Sequence, residues 1–439
     1  GISYGTRLGL EVMRQHPDGV RSAVLDSVFP PQVDSVLENP ATFLASYDAV
    51  VAACAAEPAC AAAGDLDERV VAVVQTLEAN PITVEVSNLL TGEQDEVLVD
   101  GDAVVGVITQ ALYSPEAFGD LPELVAQLEI GETAAIGSFL SLQRTNEELF
   151  TDGMFYAIVC NEEIPFADPD QVEAALPADP FELHERFDLG SNTGTTAFET
   201  CAAFNPSAAP PPAVANEPVT SDIPSLVMAG RFDPVTPVAW SQAAAANLSN
   251  SYLVVDPFNS HGISPGECGM AIVNAFLSDP TTEPDASCFD DGDVSFLAPI
   301  DTPIVPEPGN LTSGGGRELV LVRPAGWTDG GFGDSYRQAS LLDPTAIFHI
   351  ADNPTLKLGI ELFLDQQYGV VLGPSADAGS IGGRSWTIRT GVAGDTTVEW
   401  YATEIDGVDV VVVLVSTVSE LEANRAAVLL PALEGIDVK

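Results

Sequence analysis

The first five residues of the chain have the types that nucleophilic catalysis needs. Gly1-Ile2-Ser3-Tyr4-Gly5 spells G-x-S-x-G and runs straight into a stretch with helical spacing. In such a turn the glycines let the backbone pass sharply from strand to helix, holding the serine exposed and strained. Backbone N–H groups at a helix N-terminus can stabilise a developing oxyanion, and the N–H of Tyr4 is the first candidate donor. A serine after a glycine turn can equally be a plain helix cap, so the motif needs partners. They follow in the order nucleophile, acid, base. Gly230-Arg231-Phe232-Asp233-Pro234-Val235-Thr236-Pro237 comes directly after the apolar run Ser225–Ala229. Asp233 thus falls at the carboxyl end of an expected parallel strand, where catalytic groups collect in open α/β sheets. A turn aspartate is the plainer reading of the same residue. Asn259-Ser260-His261-Gly262 follows the next expected strand. Imidazole as a class titrates near neutrality, so a histidine there can take the serine proton and return it to a leaving group. A carboxylate beside it fixes the tautomer and stabilises the imidazolium. His16, His184 and His349 lack such surroundings and read as ordinary surface or helix histidines.

The elements that would position these residues alternate as in a βαβ pattern. Thr6–His16 carries Leu8 and Val12 on one helical face, Pro17-Asp18-Gly19 breaks it, and Ser22–Val28 is a short β-rich run ended by Pro30-Pro31. Residues 1–30 therefore read as one half of a βαβ unit whose leading strand is missing. From 31 to 205 the pattern turns helical, clearest over Ala41–Ala63, Leu66–Ala79, Gly101–Leu112 and Leu121–Ile130. One β-like stretch, Ile82–Val99, is expected to turn at Thr91-Gly92. This block reads as a helical insertion, and the proline-rich residues 206–217 read as a connector. The α/β rhythm returns through 298, with strands at Ser225–Ala229 and Ser251–Val255 and helices at Pro237–Leu248 and Cys268–Leu277. Residues 299–316 are rich in Pro and Gly and read as a linker. Residues 317–439 read as a separate α+β unit without a catalytic constellation. Its strand is Glu318–Val322, its helices are Thr355–Leu364 and Glu420–Leu433, and a hairpin over Val398–Val415 turns at Asp406-Gly407. The fold class is α/β, an incomplete parallel sheet with a helical insertion and an α+β accessory domain.

Composition narrows the partners. Lys+Arg number 15 against 65 Asp+Glu, a formal net charge of −50, and such a field repels phosphate, which excludes nucleic-acid binding. The same field attracts cations, including the protonated amino terminus of a peptide. Only Lys357 and Lys439 are lysines, and an acidic, lysine-poor surface fits either a salt-adapted source or a plain solubility requirement. The 6 cysteines fall in sequence order as Cys54 with Cys60, Cys160 with Cys201 and Cys268 with Cys288. Without a CxxC or a histidine at ligand spacing they favour disulfides over zinc, and hence an exported protein, secreted or associated with the cell envelope. No apolar run approaches the roughly 20 residues of a membrane span. No cofactor is expected. Asp290-Asp291-Gly292-Asp293 lacks the terminal glutamate of a calcium loop and reads as a surface turn. Asn247-Leu248-Ser249 and Asn310-Leu311-Thr312 have the form of glycosylation sequons only.

With these residues in hand the chain resembles a known family. GISYGTRLGLEVMRQHPDGVRSAVLDSV is similar to the elbow, helix and strand of tripeptidyl-aminopeptidase-like α/β-hydrolases, relatives of the proline iminopeptidases. GRFDPVTPVAW, then SHG, then a Cys-bearing helix and a late Cys288 resemble that family's TAP-like C-terminal region. The resemblance spans residues 1–290 and implies that the helical block is a lid. It also implies an exported aminopeptidase with Ser3 as nucleophile, Asp233 as acid and His261 as base. In this family lid carboxylates bind the ammonium of the substrate. Cys160-Asn161-Glu162-Glu163 resembles the Cys-x-Glu stretch, making Glu162 the first candidate and Glu163 the second. The family's His-Gly-Gly-type loop, donor of a second oxyanion N–H, lies upstream of the elbow. The sequence opens on Gly1 rather than Met, so the expectation is a piece cut just before Ser3, with activity assigned to the parent protein. The expected substrate is a peptide with a free amino terminus. The rivals are a small carboxylic ester and a non-catalytic binding protein that uses residues 317–439 for attachment to an unknown partner.

Overall fold

Ser225–Gly230 is buried at all six positions, as a strand must be when helices cover both faces of its sheet. The structure, a computed structural model, describes the chain except residues 89–90, 92, 148–150, 176–180, 182–194, 205–212, 292–293, 297–303, 326, 330–333, 338–339, 341 and 395. Two compact units are present, one of Gly1–Val86 with Asp95–Ala298, the other of Ser87–Gln94 with Pro299–Lys439.

The first unit runs α1 (Tyr4–Gln15), β1 (Ala23–Asp26), α2 (Ser35–Ala56), α3 (Pro58–Ala62) and α4 (Leu66–Ala79). A two-stranded sheet follows, β2 (Ile82–Ser87) with β3 (Gln94–Val99). Next come α5 (Gly101–Ala111), α6 (Pro115–Gly119), α7 (Leu121–Glu129), α8 (Ala134–Glu147), α9 (Asp152–Glu162), α10 (Pro169–Ala175) and α11 (Thr195–Phe204). It ends with β4 (Ser225–Gly230), α12 (Val238–Ala245), β5 (Ser251–Asp256) and α13 (Glu267–Ser278). β1, β4 and β5 form a parallel sheet in the order β1-β4-β5. On the free edge of β1, Ile2 makes a single parallel bridge to Asp26. Alternate residues of β4 face opposite layers. Val227 packs with Leu10 and Met13 of α1 and Ala244 of α12, whereas Leu226 and Met228 pack with Ile272 and Phe276 of α13.

Local sequence explains where elements differ from expectation. The face of α1 that the Leu8/Val12 spacing marks as apolar is turned outward, with Leu8 58% exposed. The buried face carries Thr6, Arg7, Leu10 and Met13. Two short apolar stripes compete on this helix, and the sheet takes the one that reaches Leu25. The helix expected over Ala41–Ala63 starts earlier, at Ser35, because Asp34 caps it by accepting from the Leu37 amide at 3.1 Å. It breaks at Glu57, whose carboxylate caps α3 through the Cys60 amide at 2.6 Å, and Pro58 then takes the first helical position. Disulfides join Cys54 to Cys60, Cys160 of α9 to Cys201 of α11, and Cys268 of α13 to Cys288. Among the described residues no helix is long and apolar enough to cross a membrane.

The second unit is antiparallel. Its strands are β6 (Pro306–Thr312), β7 (Glu318–Pro324), β8 (Thr328–Asp329), β9 (Asp334–Tyr336) and β10 (Ala346–Ala351), followed by α14 (Pro354–Tyr368). Then come β11 (Ala376–Ile381), β12 (Arg384–Ala393), β13 (Thr396–Ile405), β14 (Val408–Thr417), α15 (Leu421–Asn424), α16 (Leu430–Gly435) and β15 (Asp437–Val438). The larger sheet has the order β11-β12-β13-β14-β10-β9-β8, the smaller β15-β7-β6. Asp406 and Gly407 both have positive φ, 49° and 79°, which gives the β13–β14 turn the twist a tight hairpin needs. Three sequence readings are corrected here. Part of the stretch read as a linker is β6, an edge strand, where Pro306 and Pro308 forfeit no ladder bond that the sheet requires. The closing helix is not continuous: Arg425–Leu429 is a π turn, and Pro431 just beyond supplies no amide for a regular α ladder. His349 is neither on the surface nor on a helix but 1% exposed in β10. His184 lies outside the described residues, as do Gly292 and Asp293 of the acidic turn.

Candidate active site

The backbone at Ser3 has φ 55° and ψ −127°, a strained conformation for a residue with a Cβ, and its side chain makes no capping bond to α1. A helix-cap serine would spend its hydroxyl on an amide; this one keeps it. The turn is held by its backbone, since the Ser3 amide donates to Asp26 O at 3.0 Å and the Asp26 amide donates to Gly1 O at 3.0 Å. Gly1 has to be glycine because a Cβ there would run into the Gly5 carbonyl. Thr6 locks the other side: its hydroxyl donates to Ser3 O at 2.6 Å and accepts from the Phe29 amide at 2.8 Å. As the first residue of α1, Tyr4 presents an N–H that the helix does not consume.

Asp233 and His261 come together beyond the ends of β4 and β5. The Asp233 carboxylate is buried; Oδ1 accepts from the amides of Val235 at 3.0 Å and Thr236 at 2.7 Å. Oδ2 accepts from the Thr236 hydroxyl at 2.7 Å and lies 2.9 Å from His261 Nδ1. Thr236 Oγ1 is itself 3.2 Å from Nδ1. A carboxylate only accepts, so Nδ1 carries the proton and Nε2 is left as the basic nitrogen. The Tyr113 ring meets the imidazole edge-on at 5.1 Å, and the His261 amide donates to Tyr113 O at 3.2 Å. Gly262 has φ 80°, and a Cβ built on it would touch Ile2 Cγ2 at 3.4 Å. The loop that carries His261 therefore approaches the residue that precedes Ser3.

Glu162 and Glu163, at the end of α9, reach the same corner. The Tyr4 hydroxyl donates to the Glu162 carboxylate at 3.0 and 3.1 Å. Burial first and then that carboxylate push the Tyr4 phenol up to about 12. Arg7, one turn into α1, lies 3.7 Å from Glu162 Oε2 and 2.8 Å from Glu163 Oε1, the latter off the hydrogen-bond axis. Glu163 also accepts from Ser35 Oγ at 3.0 Å. Burial pushes Glu163 up to about 7 and outweighs the opposing pull of Arg7 and Ser35. Glu162 is 40% exposed on its side chain and so is open to a ligand, whereas Glu163 is sealed in.

Sequence reasoning missed Arg7, Thr236, Tyr113 and Asp26. Thr236 was visible in the phrase Asp233-Pro234-Val235-Thr236, because a threonine three residues past an aspartate can close a turn on it. Asp26 was signalled only by a carboxylate in an otherwise apolar strand.

Residues 188–288 match the family described as TAP-like protein. This match supports a TAP-like α/β-hydrolase. The TAP-like stretch holds both Asp233 and His261. Serine protease Hip1 of Mycobacterium bovis and of Mycobacterium tuberculosis is 27% identical over 300 residues, which cover 65% of this chain and 56% of the relative. The chain thus spans about half the length of the curated relatives it matches. Two solved structures also align. Cyanobacterial PsbP (CyanoP) from Synechocystis is 10% identical over 33% of this chain and 98% of its own, with a TM-score of 0.21. LpqN of Mycobacterium tuberculosis, involved in cell envelope biogenesis, is 18% identical over 32% and 93%, with a TM-score of 0.20. Scores that low carry no argument about this protein.

Proposed function

We propose that the chain is the catalytic region of an exported serine peptidase that cleaves residues from free peptide N-termini. The observation that carries this is the contact at 2.9 Å between His261 Nδ1 and the buried Asp233 carboxylate, on a loop whose Gly262 approaches Ile2, the residue before a strained Ser3 whose hydroxyl caps nothing. Ser3 Oγ attacks the scissile carbonyl while His261 Nε2 takes its proton; the oxyanion forms against the Tyr4 N–H. His261 then gives that proton to the leaving amine, and water hydrolyses the acyl-enzyme by the same route in reverse. The aminopeptidase reading is supported by the half-exposed Glu162 on the hydroxyl of Tyr4, the residue after the nucleophile, with Glu163 behind it. A carboxylate there can pair with a substrate ammonium and so set its distance from Ser3. Export is supported by the three disulfides.

The test is labelling with a serine-directed phosphonate, with Ser3→Ala as control, followed by turnover of free and N-blocked peptides. Loss of label in Ser3→Ala, cleavage of free-amine peptides alone, and a roughly tenfold or larger rise in KM for Glu162→Gln are expected, since a charge-assisted bond is worth about 1.5–3 kcal/mol. Label without peptide turnover would make the protein an ester hydrolase. An unlabelled protein would leave only a binding role.

A further inference from the structure

Three consecutive amides follow His261, and all three are held by the end of a single strand. The Gly262 amide donates to Ser27 Oγ at 2.8 Å, the Ile263 amide to Asp26 Oδ1 at 3.2 Å and the Ser264 amide to Asp26 Oδ2 at 2.8 Å. Both Asp26 and Ser27 are 0% exposed. The main chain of Asp26 is at the same time bonded to the nucleophile turn, through Ser3 N to Asp26 O and Asp26 N to Gly1 O. One residue therefore grips the nucleophile with its backbone and the base loop with its side chain. On its other side the loop is tied to the helical block, where Ser260 Oγ donates to Leu112 O at 2.5 Å and the His261 amide to Tyr113 O. Ser27 accepts a positive φ of 54° to put its hydroxyl under Gly262, a conformation that costs a residue with a Cβ energy and marks the contact as required by the fold around it.

We propose that Asp26, assisted by Ser27, is a positioning residue that sets the distance and angle between His261 and Ser3. The inference rests on the serine-hydrolase reading. Asp26 touches neither substrate nor the reacting atoms; it acts by filling the amides of residues 262–264. A carboxylate suits this role because two acceptor oxygens face two donors. An asparagine keeps one acceptor and turns an NH2 toward an amide N–H, and an alanine leaves both amides buried without an acceptor.

The experiment uses the full chain with three substitutions, Asp26→Asn, Asp26→Ala and Ser27→Ala, and measures phosphonate labelling rate, kcat and KM, and the downfield imidazole proton of His261 by NMR. A misplacement on the order of 1 Å lowers turnover by roughly 10²-fold. The expected order of kcat is thus wild type, then Ser27→Ala, then Asp26→Asn, then Asp26→Ala. KM should stay unchanged and the His261 resonance should shift or broaden in the same order. A purely structural role would lower the melting temperature without moving that resonance in the folded fraction, and would overturn the assignment. Equal labelling rates in wild type and Asp26→Asn would overturn it as well. Should Asp26→Ala fail to fold, Ser27→Ala decides: a several-fold fall in kcat supports the role and wild-type turnover refutes it. A wild-type chain that takes no label would instead sink the hydrolase reading, so the two failures are distinct.

Discussion

Replacing Glu163 with Gln should make the hydrolase unit more stable above neutral pH and leave it unchanged in acid. Arg7 brings one positive charge to two carboxylates, and Glu163 is the one buried with 6% of its side chain exposed. Its proton is held up to about 7, against 4.5 for an ordinary glutamate. At about 1.4 kcal/mol per pH unit that gap corresponds to about 3 kcal/mol. The folded protein holds this proton more tightly than the unfolded chain, so the contribution is complete below about pH 4.5 and is lost as the pH rises through about 7. Gln cannot ionise and retains a carbonyl for the Ser35 hydroxyl. Glu163→Gln should therefore match wild type near pH 4.5 and exceed it by up to about 3 kcal/mol near pH 8. Urea unfolding followed through Trp240, the only tryptophan of this unit, reads the difference directly. A Glu163→Gln protein that is less stable than wild type near pH 8 would refute the reasoning, because Glu163 would then be an ionised and net favourable partner of Arg7.

Two further outcomes follow from the same geometry. Thr236→Val keeps the shape of the turn but deletes the hydroxyl donated to Asp233 Oδ2 at 2.7 Å, so kcat should fall by roughly 10-fold or more with KM unchanged; unchanged turnover in steady-state assays would mean that the amides alone hold Asp233. Cys160→Ser opens a cross-link between residues 41 apart, worth about 4 kcal/mol by chain entropy, two residues before Glu162. Both a lower melting temperature and a higher KM for free-amine peptides are expected, and a lower melting temperature alone would separate the disulfide from substrate binding.

The parts of this protein that could be read from sequence are those whose signal is local. The strand Ser225–Gly230, the helix Leu66–Ala79 and the Asp406-Gly407 turn each declare themselves within one window, through an apolar run, a capped periodic stretch or a residue pair suited to positive φ. Where two local signals compete, the sequence cannot choose. α1 has apolar residues on two faces, and the outer one looked like the core because only tertiary contact with Leu25 selects the other. β6 looked like a linker because its prolines forbid a central strand, and whether a strand ends up at an edge is a property of the whole sheet. The Asp233–His261 contact was legible because each residue follows a strand in a short motif, and the strained turn at Ser3 because two glycines flank it. Arg7 was not, since an arginine on a helix is unremarkable until Glu162 and Glu163 arrive from more than 150 residues away.

The two aspartates at the strand ends show how far local reading reaches. Asp26 ends β1 and Asp233 follows β4, its neighbour in the sheet, so position alone would let either serve as the acid. Their partners separate them. Pro234 has no N–H, so the nearest amides to Asp233 are those of Val235 and Thr236, and both converge on Oδ1. Oδ2 is left facing outward to the Thr236 hydroxyl and His261. That outcome is written in four consecutive residues. Asp26 has no such turn; each of its oxygens accepts one amide, 237 and 238 residues further on, from the loop just past His261. That carboxylate meets the amides of the loop and not its imidazole, whose Nδ1 lies against Asp233. What separates the two carboxylates is thus that Asp233 alone is aimed at an imidazole by its own turn.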